Sequence, residues 1–109
     1  MKKSLLLLIC FFISAALAAQ VTQIVKGRVV DKVTGIGLPG AIVQMRSGAT
    51  HLVATANNEG YYRLSEVPVG RQTFLYTYTG YRPVPMSDII ITSGKEMVLN
   101  VEMEESAID

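Results

Sequence analysis

The 109-residue sequence has no tryptophan, one histidine and one cysteine. The cysteine, Cys10, lies in an N-terminal segment that we expect to be removed, so the mature chain would contain no thiol and no disulfide. Burial of apolar side chains must then hold the fold together, which a domain of about 90 residues can do with a modest margin. A chain of this length has room for one domain.

Residues that could form a catalytic or metal site are scarce. His51 stands alone, whereas a zinc site needs several histidine, cysteine or carboxylate ligands that converge. A triad of Ser47, His51 and Asp31 would lack the Gly-x-Ser-x-Gly turn that presents a serine nucleophile. We therefore predict no enzymatic activity and no catalytic, cofactor-binding or metal-binding residue, and we interpret His51 as a surface or strand-start residue.

The charges are close to balanced. Ten Lys and Arg face nine Asp and Glu, and loss of Lys2 and Lys3 with the N-terminal segment would leave eight against nine. Binding to nucleic acid depends on clustered Lys and Arg that neutralise phosphates. The sequence has no such cluster, so we expect no nucleic-acid partner.

The N-terminus has the three parts of a secretory signal peptide. Lys2 and Lys3 precede an uncharged apolar run from Ser4 to Ala19, which ends on the small-residue pattern Ala16-Leu17-Ala18-Ala19. The alternative is a membrane anchor, but a spanning helix needs about 20 apolar residues and this run ends before Gln20. We predict a signal peptide at 1–19, one domain at 20–105 and a C-terminal tail or linker start at 106–109.

Short alternating runs separated by glycine-containing turns predict an all-β fold. Side chains of a strand alternate between its two faces, so the apolar set of each run is expected to face the core. We predict seven strands in an antiparallel β-sandwich, with a poorly alternating third strand at about Leu52 to Ala56, a sixth at Ile89–Ile91 and a seventh from Met97 to Met103. The predicted inward residues are Val25, Gly27, Val29, Ala41, Val43, Met45, Tyr62, Leu64, Phe74, Tyr76 and Tyr78.

The stretch Asn57-Asn58-Glu59-Gly60 predicts a hairpin turn, because Asn and Gly tolerate positive φ. Its oxygen atoms could also bind calcium, but the ligand spacing of a calcium loop is missing. We expect a plain turn.

Five motifs occur in a fixed order along the chain. They are Gly27-Arg28-Val29-Val30-Asp31, Leu38-Pro39-Gly40-Ala41-Ile42-Val43, Asn57-Asn58-Glu59-Gly60-Tyr61-Tyr62, Val67-Pro68-Val69-Gly70 and Gly80-Tyr81. This order resembles the carboxypeptidase-regulatory-like domain, a transthyretin-like seven-stranded β-sandwich, over about residues 23 to 104. Asn57 stands where the family often has Asp, a change that argues against a cation site at that turn, and Thr79 stands where it often has an apolar residue.

The resemblance implies a module without peptidase activity of its own. Such domains occur beside metallocarboxypeptidases and at the N-terminus of TonB-dependent outer-membrane receptors of the starch-utilisation type. The segment from Glu104 to Asp109 is similar to the linker that follows the domain in those receptors. The implied role is an exported module in the periplasm or at the outer membrane, with a protein partner or the rest of a receptor chain. A stand-alone periplasmic protein is the alternative.

The five tyrosines raise a carbohydrate-binding alternative, since sugars stack on exposed aromatic rings. Strand alternation buries Tyr62, Tyr76 and Tyr78 and leaves Tyr61 and Tyr81 as an exposed pair that could contact a ligand. Tyr81, directly after Gly80, also has the position of a sandwich corner residue.

The last predicted strand is expected at a sheet edge. Glu96, Glu102, Glu104 and Glu105 lie in or beside it. Charges of this kind discourage uncontrolled strand pairing. The sequence leaves two interpretations open: this edge contacts a partner, or the acids only keep it soluble.

Overall fold

The computed structural model describes residues 21–106 and has no helix in that range. Its strands are β1 (Thr22–Asp31), β2 (Ile42–Ser47), β3 (Thr50–Thr55), β4 (Tyr61–Pro68), β5 (Gly70–Thr77), β6 (Val84–Ile91), β7 (Met97–Val98) and β8 (Val101–Met103). The predicted signal peptide and the last three residues of the predicted tail lie outside the described part.

Two four-stranded sheets pack face to face. The first has the order β4-β1-β7, with β8 also paired to β1, and the second has the order β3-β2-β5-β6. Their inner faces enclose one apolar core. The largest fully buried side chains are Tyr76, Phe74, Met45, Ile91, Met103, Val25, Val29, Val43 and Val67. The all-β sandwich predicted from the sequence is confirmed.

The predicted inward faces are also confirmed, with one exception at a strand end. The inward residues of β1, β2 and β4 are buried, and Phe74 and Tyr76 of β5 are fully enclosed. Tyr78 lies beyond the end of β5 and is only half-buried. Leu75, on the opposite face of β5, remains exposed.

The prediction of seven antiparallel strands is wrong at the C-terminal end. The predicted seventh strand is divided into β7 and β8, and both run parallel to β1. The division falls at Leu99 and Asn100. The N–H of Arg28 donates to the Asn100 side-chain oxygen at 2.9 Å, so a side chain takes the place of a backbone acceptor in the ladder.

The close approach of β1 to this division depends on a glycine. A Cβ atom added to Gly27 would lie 2.0 Å from the Leu99 carbonyl oxygen and 2.6 Å from its carbon, and both are backbone atoms. The Leu99 N–H donates to the Lys26 carbonyl oxygen at 2.8 Å. Any side chain at position 27 would therefore push the last strands away from β1.

The sixth strand is longer than predicted. It begins at Val84 rather than Ile89, with Pro85 opposite Leu75. An edge strand accepts proline because the missing N–H can be on the solvent side. A register irregularity and a positive φ at Asp88 interrupt its alternation, which hides the first half of the strand from a period-two pattern.

The turn from Asn57 to Gly60 is present, but the hairpin prediction is wrong. It joins β3, which pairs with β2, to β4, which pairs with β1. The turn therefore carries the chain from one sheet to the other. Gly60 has the predicted positive φ, at 89°.

Replacing Gly27 by alanine tests the contact with Leu99. We expect Gly27→Ala to lower the free energy of unfolding by about 2 kcal/mol, because the new methyl group overlaps a backbone carbonyl that side-chain rotation cannot move. Gly94→Ala is the matched control, since an added Cβ there meets no atom within 4 Å and φ is not positive. Urea denaturation should show a control change within about 0.5 kcal/mol. Equal stability of the two variants would contradict the contact.

Candidate functional site

Asp31 organises the end of the sandwich where β1 stops. Its Oδ1 accepts the N–H groups of Val33 at 2.8 Å and Thr34 at 2.9 Å. Its Oδ2 accepts the hydroxyl of Tyr81 at 2.6 Å, from a residue 50 positions away. Asp31 is 7% exposed. One carboxylate thus holds the turn after β1 and fastens it to the segment that leaves β5.

The same hydrogen bonds set the ionisation of this pair. The Tyr81 hydroxyl, followed by the Thr34 N–H, lowers the pKa of Asp31 below its ordinary value of 3.8. The hydrogen bond to Asp31 raises the pKa of Tyr81. The carboxylate is therefore ionised and the phenol protonated at neutral pH. With its oxygens already bound to three donors, Asp31 is a structural anchor rather than a free base.

Two further motif residues meet β1 near this end. The Val29 N–H donates to the Gly60 carbonyl at 2.8 Å, and a Cβ on Gly60 would lie 2.4 Å from the Val29 oxygen. The Leu38 N–H donates to the same Val29 oxygen at 2.9 Å. The first, second and third motifs are thus joined through the backbone of Val29, and the Asp31–Tyr81 bond adds the fifth.

Tyr81 is less exposed than the sequence predicted. Its ring is half-buried and packs against Tyr78 with ring centres 5.3 Å apart. Its hydroxyl donates to Asp31 Oδ2 at 2.6 Å and lies 3.4 Å from Glu105 Oε1, a second and weaker acceptor. The alternative prediction, a corner residue, describes this position. Sequence reasoning missed Asp31 as its partner, although both belong to the motifs.

Two buried tyrosines connect the sheets inside the core. The Tyr62 hydroxyl of β4 donates its single proton to the Leu99 carbonyl at 2.5 Å. Tyr62 must therefore accept in its second bond, so the Tyr76 hydroxyl of β5 donates to it at 2.7 Å. The rings meet edge to face with centres 5.6 Å apart. Burial raises the pKa of Tyr62 to about 12 and also raises that of Tyr76. Both phenols therefore keep their protons at neutral pH.

The other polar residues considered from the sequence have structural partners. Asn57 Oδ1 accepts the N–H groups of Glu59 at 3.0 Å and Tyr61 at 2.9 Å, which is the hydrogen bonding of a turn rather than of a cation site. His51 is exposed on β3, with its Nε2 3.3 Å from Gln44 Oε1. Within residues 21–106, no group of three or more His, Cys, Asp or Glu side chains could share a metal ion.

The outer face of the first sheet carries a cluster that we call the basic patch: the exposed residues Lys26, Tyr61 and Arg63 and the half-buried Arg28. Lys26 lies opposite Arg63, and Arg28 lies opposite Tyr61, on the paired strands β1 and β4. The Arg28 guanidinium carbon is 5.3 Å from the centre of the Tyr61 ring, which is 53% exposed. Tyr61 is therefore the predicted site residue that remains available to a ligand.

Two contacts give the basic patch its order and charge. Arg28 Nε donates to the Glu59 carbonyl at 2.8 Å, which fixes its guanidinium beside the Tyr61 ring. Lys26 pairs with Glu96 at 2.8 Å, and both Lys26 and Arg63 lower the pKa of Glu96. Three cations on this face outnumber the carboxylates of Glu96 and Glu102 beside them, which leaves a small excess of positive charge. Sequence reasoning missed the cluster because its four members come from two strands far apart in the chain.

The Asp31–Tyr81 bond makes stability depend on pH in the acid range. A carboxyl whose pKa is lower in the folded state than in the unfolded state stabilises the fold when the pH is above the unfolded-state pKa. This stabilisation is lost as the pH falls through the folded-state pKa. We expect Tyr81→Phe to melt below the wild type at about pH 7 and the gap to narrow at about pH 2. Glu96 and Glu104, whose pKa values are also lowered, are present in both proteins and cancel in the difference.

Circular dichroism melting curves across this pH range provide the measurement. The control is Tyr78→Phe, which changes the neighbouring ring and leaves the Asp31 donor in place. A gap for Tyr81→Phe that stays constant with pH would show that Asp31 ionisation does not depend on this hydroxyl.

The fold is shared with solved bacterial proteins of low sequence identity. A candidate carbohydrate-binding protein from Bacteroides uniformis has a TM-score of 0.63 and 19% identity, over 76% of this chain and 41% of that one. The minor pilin of Streptococcus agalactiae has a TM-score of 0.61 and 14% identity, over 83% of this chain and 47% of that one. A chain of a type II cohesin–X-dockerin complex from Acetivibrio cellulolyticus has a TM-score of 0.60 and 16% identity, over 76% and 58%.

The chain also has similarity at the level of sequence. Human carboxypeptidase D is 34% identical over 70 residues, which make up 64% of this chain and 5% of that protein. The chain thus spans a small part of this much longer relative. The similarity concerns a domain and does not extend to the whole enzyme.

The family model of the carboxypeptidase regulatory-like domain matches residues 24–104. The match spans β1 to β8 and includes all five motifs, four of which meet at the end of β1. The motifs that are typical of the family are therefore also the segments that hold this end of the sandwich together. The chain belongs to the carboxypeptidase regulatory-like domain family.

Proposed function

We propose that this chain is a non-catalytic, exported interaction module that binds another protein through the basic patch. The observation that carries the proposal is the exposed Tyr61 ring beside the ordered Arg28 guanidinium and the adjacent Arg63. Tyrosine and arginine are enriched among the residues that dominate protein–protein binding energies. A positive, ordered surface of this kind suits an acidic segment of a partner.

The internal polar groups support a role without catalysis. Asp31, Tyr62, Tyr76 and Tyr81 all donate to or accept from other parts of the chain. A catalytic acid or base must reach a substrate proton. These groups instead join loops and strands, which leaves recognition to the outer faces and edges.

The setting that we propose is the periplasmic side of a Gram-negative outer membrane, as the N-terminal domain of a TonB-dependent nutrient receptor or as a stand-alone relative. Support comes from the signal-peptide pattern at 1–19 and from membership of a domain family that resembles the leading module of such receptors. Within residues 21–106, no helix is long and apolar enough to cross a membrane.

Two alternatives follow from specific observations. Tyr61 presents an exposed aromatic ring, and a candidate carbohydrate-binding protein shares the fold, so a sugar is a second candidate ligand. The similarity to carboxypeptidase D favours an accessory domain of a metallocarboxypeptidase. The DNA that follows codon 109 distinguishes the settings: a plug and barrel supports the receptor, whereas a zinc peptidase supports the accessory domain.

Export can be tested directly. In a Gram-negative host, we expect the chain to be found in the envelope fraction with a mature N-terminus at Ala19 or Gln20, because a signal peptide with a small-residue cleavage pattern is removed during secretion. Mass spectrometry of the N-terminal peptide provides the measurement. Envelope protein that retains Met1 to Gln20 would contradict cleavage.

The basic patch can be tested by charge reversal. We expect Arg63→Glu to remove most capture of an envelope protein by the tagged chain, because it places a carboxylate beside Arg28 and Tyr61. Arg46→Glu is the matched control, an exposed arginine on the outward face of β2 in the other sheet. Equal loss in both variants, or in neither, would contradict the proposed surface.

The same proteins distinguish the sugar alternative. Binding to an oligosaccharide array that is lost in Tyr61→Ala, without capture of a protein, would replace the proposed partner by a glycan. Far-ultraviolet circular dichroism of each variant confirms that the fold is retained.

A further inference from the structure

The two sheets have four edge strands in the described residues: β4 and the β7/β8 pair in the first sheet, and β3 and β6 in the second. An open edge exposes unpaired backbone groups, and natural proteins block such edges with charges, prolines or bulges. Three of the four carry these features. β4 has Arg63 and a positive φ at Glu66, β6 has Pro85 and a positive φ at Asp88, and the last edge is divided and carries Glu102.

The fourth edge, β3, has no such protection. The strand Thr50–Thr55 reads Thr-His-Leu-Val-Ala-Thr, without proline, acidic residue, lysine or arginine. Its pairing with β2 runs without a register shift from Thr55 to Thr50. Within residues 21–106, β3 pairs with β2 alone, and Val53 at its middle is 55% exposed. β3 is thus a bulge-free, uncharged edge that another strand could join, although β4 of the first sheet lies near it.

The hydrogen bonding of β3 shows which groups are free. The Ala56 N–H donates to the Ala41 carbonyl at 2.8 Å, so position 56 faces β2. Backbone groups alternate sides along an antiparallel strand, so positions 54, 52 and 50 also face β2. His51, Val53 and Thr55 direct three N–H and three C=O groups towards the free edge.

We propose that β3 pairs antiparallel with β3 of a second copy of this chain, about a two-fold axis at Val53. In this register Val53 lies opposite Val53 of the second copy, and His51 lies opposite Thr55 of the second copy. All six free backbone groups of each β3 then have a partner. The β3-β2-β5-β6 sheets of the two copies then form one continuous eight-stranded sheet.

The side chains favour a second copy as the occupant. On the inner face, the register sets Leu52 opposite Ala54 of the second copy, and both are half-buried apolar residues at the margin of the core. Beside them lies a groove of about 650 Å³, lined by apolar residues such as Leu52 and Val69 and by Glu66 of β4. Strand addition would cover this margin on both copies. The other edges would instead bring like charges near each other across a two-fold axis.

This pairing goes beyond the proposed function and does not depend on it. The basic patch lies on the outer face of the first sheet, whereas β3 is an edge of the second sheet. The proposed pairing uses backbone groups of β3 and none of the four basic-patch residues. Failure of either proposal therefore leaves the other unaffected.

Sedimentation velocity of the purified protein over a concentration series tests the dimer. A six-residue strand pair is a small interface, so we expect a concentration-dependent monomer–dimer equilibrium. Val53→Lys places two ammonium groups opposite each other at the two-fold axis, and we expect it to be monomeric at every concentration. Ile90→Lys is the matched control, because Ile90 is 54% exposed on β6 at the opposite edge of the same sheet. The control should dimerise like the wild type.

A charge swap tests the register. Val53→Glu alone should also be monomeric, and an equimolar mixture with Val53→Lys should associate, because the two side chains meet only if position 53 faces itself. A wild type that stays monomeric, or a Val53→Lys variant that still dimerises, overturns the proposal. A mixture that fails to associate overturns the register at Val53. Circular dichroism of each variant confirms that the sandwich is folded.

Discussion

The rest of the structure depends on the backbone of Leu99. Its N–H donates to the carbonyl of Lys26, and its own carbonyl accepts the hydroxyl of Tyr62, which in turn accepts that of Tyr76. β1, β4, β5 and the last strands are therefore joined at one point in the core. The contact is possible because Gly27 leaves the space that a Cβ would fill. The absence of a side chain at Gly27 therefore allows the last strands to pack against β1.

The polar residues of the motifs contribute to this closure. Asp31 and Tyr81 hold an end of the sandwich, as the tyrosine pair holds its centre. A buried polar group without a partner costs about 1–3 kcal/mol, so each of these side chains is constrained by the others. In the described residues, no buried side-chain N or O atom is left without a hydrogen bond. These carboxyl and phenol groups therefore connect segments that are distant in the sequence.

Most of the fold could be predicted because the buried side chains of a half-buried strand recur at every second position of the sequence. Val43 and Met45 of β2, or Tyr62 and Leu64 of β4, required no tertiary information. Features that depend on contacts between distant segments were missed. The bulge at Asp88 breaks the period, and the division of the last strand depends on a glycine in β1.

The candidate site was harder to predict for the same reason. The sequence identified Tyr61 and Tyr81 as aromatic residues outside the clear core pattern, but exposure depends on what each one meets. The Tyr81 hydroxyl donates a hydrogen bond to Asp31, 50 residues away, whereas Arg28 covers only part of the Tyr61 ring. The two proposed surfaces differ in their relation to the motifs. β3 lies outside all five motifs, whereas the basic patch takes Arg28 from the first motif and Tyr61 from the third. The same short motifs thus place inward residues that close the sandwich and outward residues that a partner could meet.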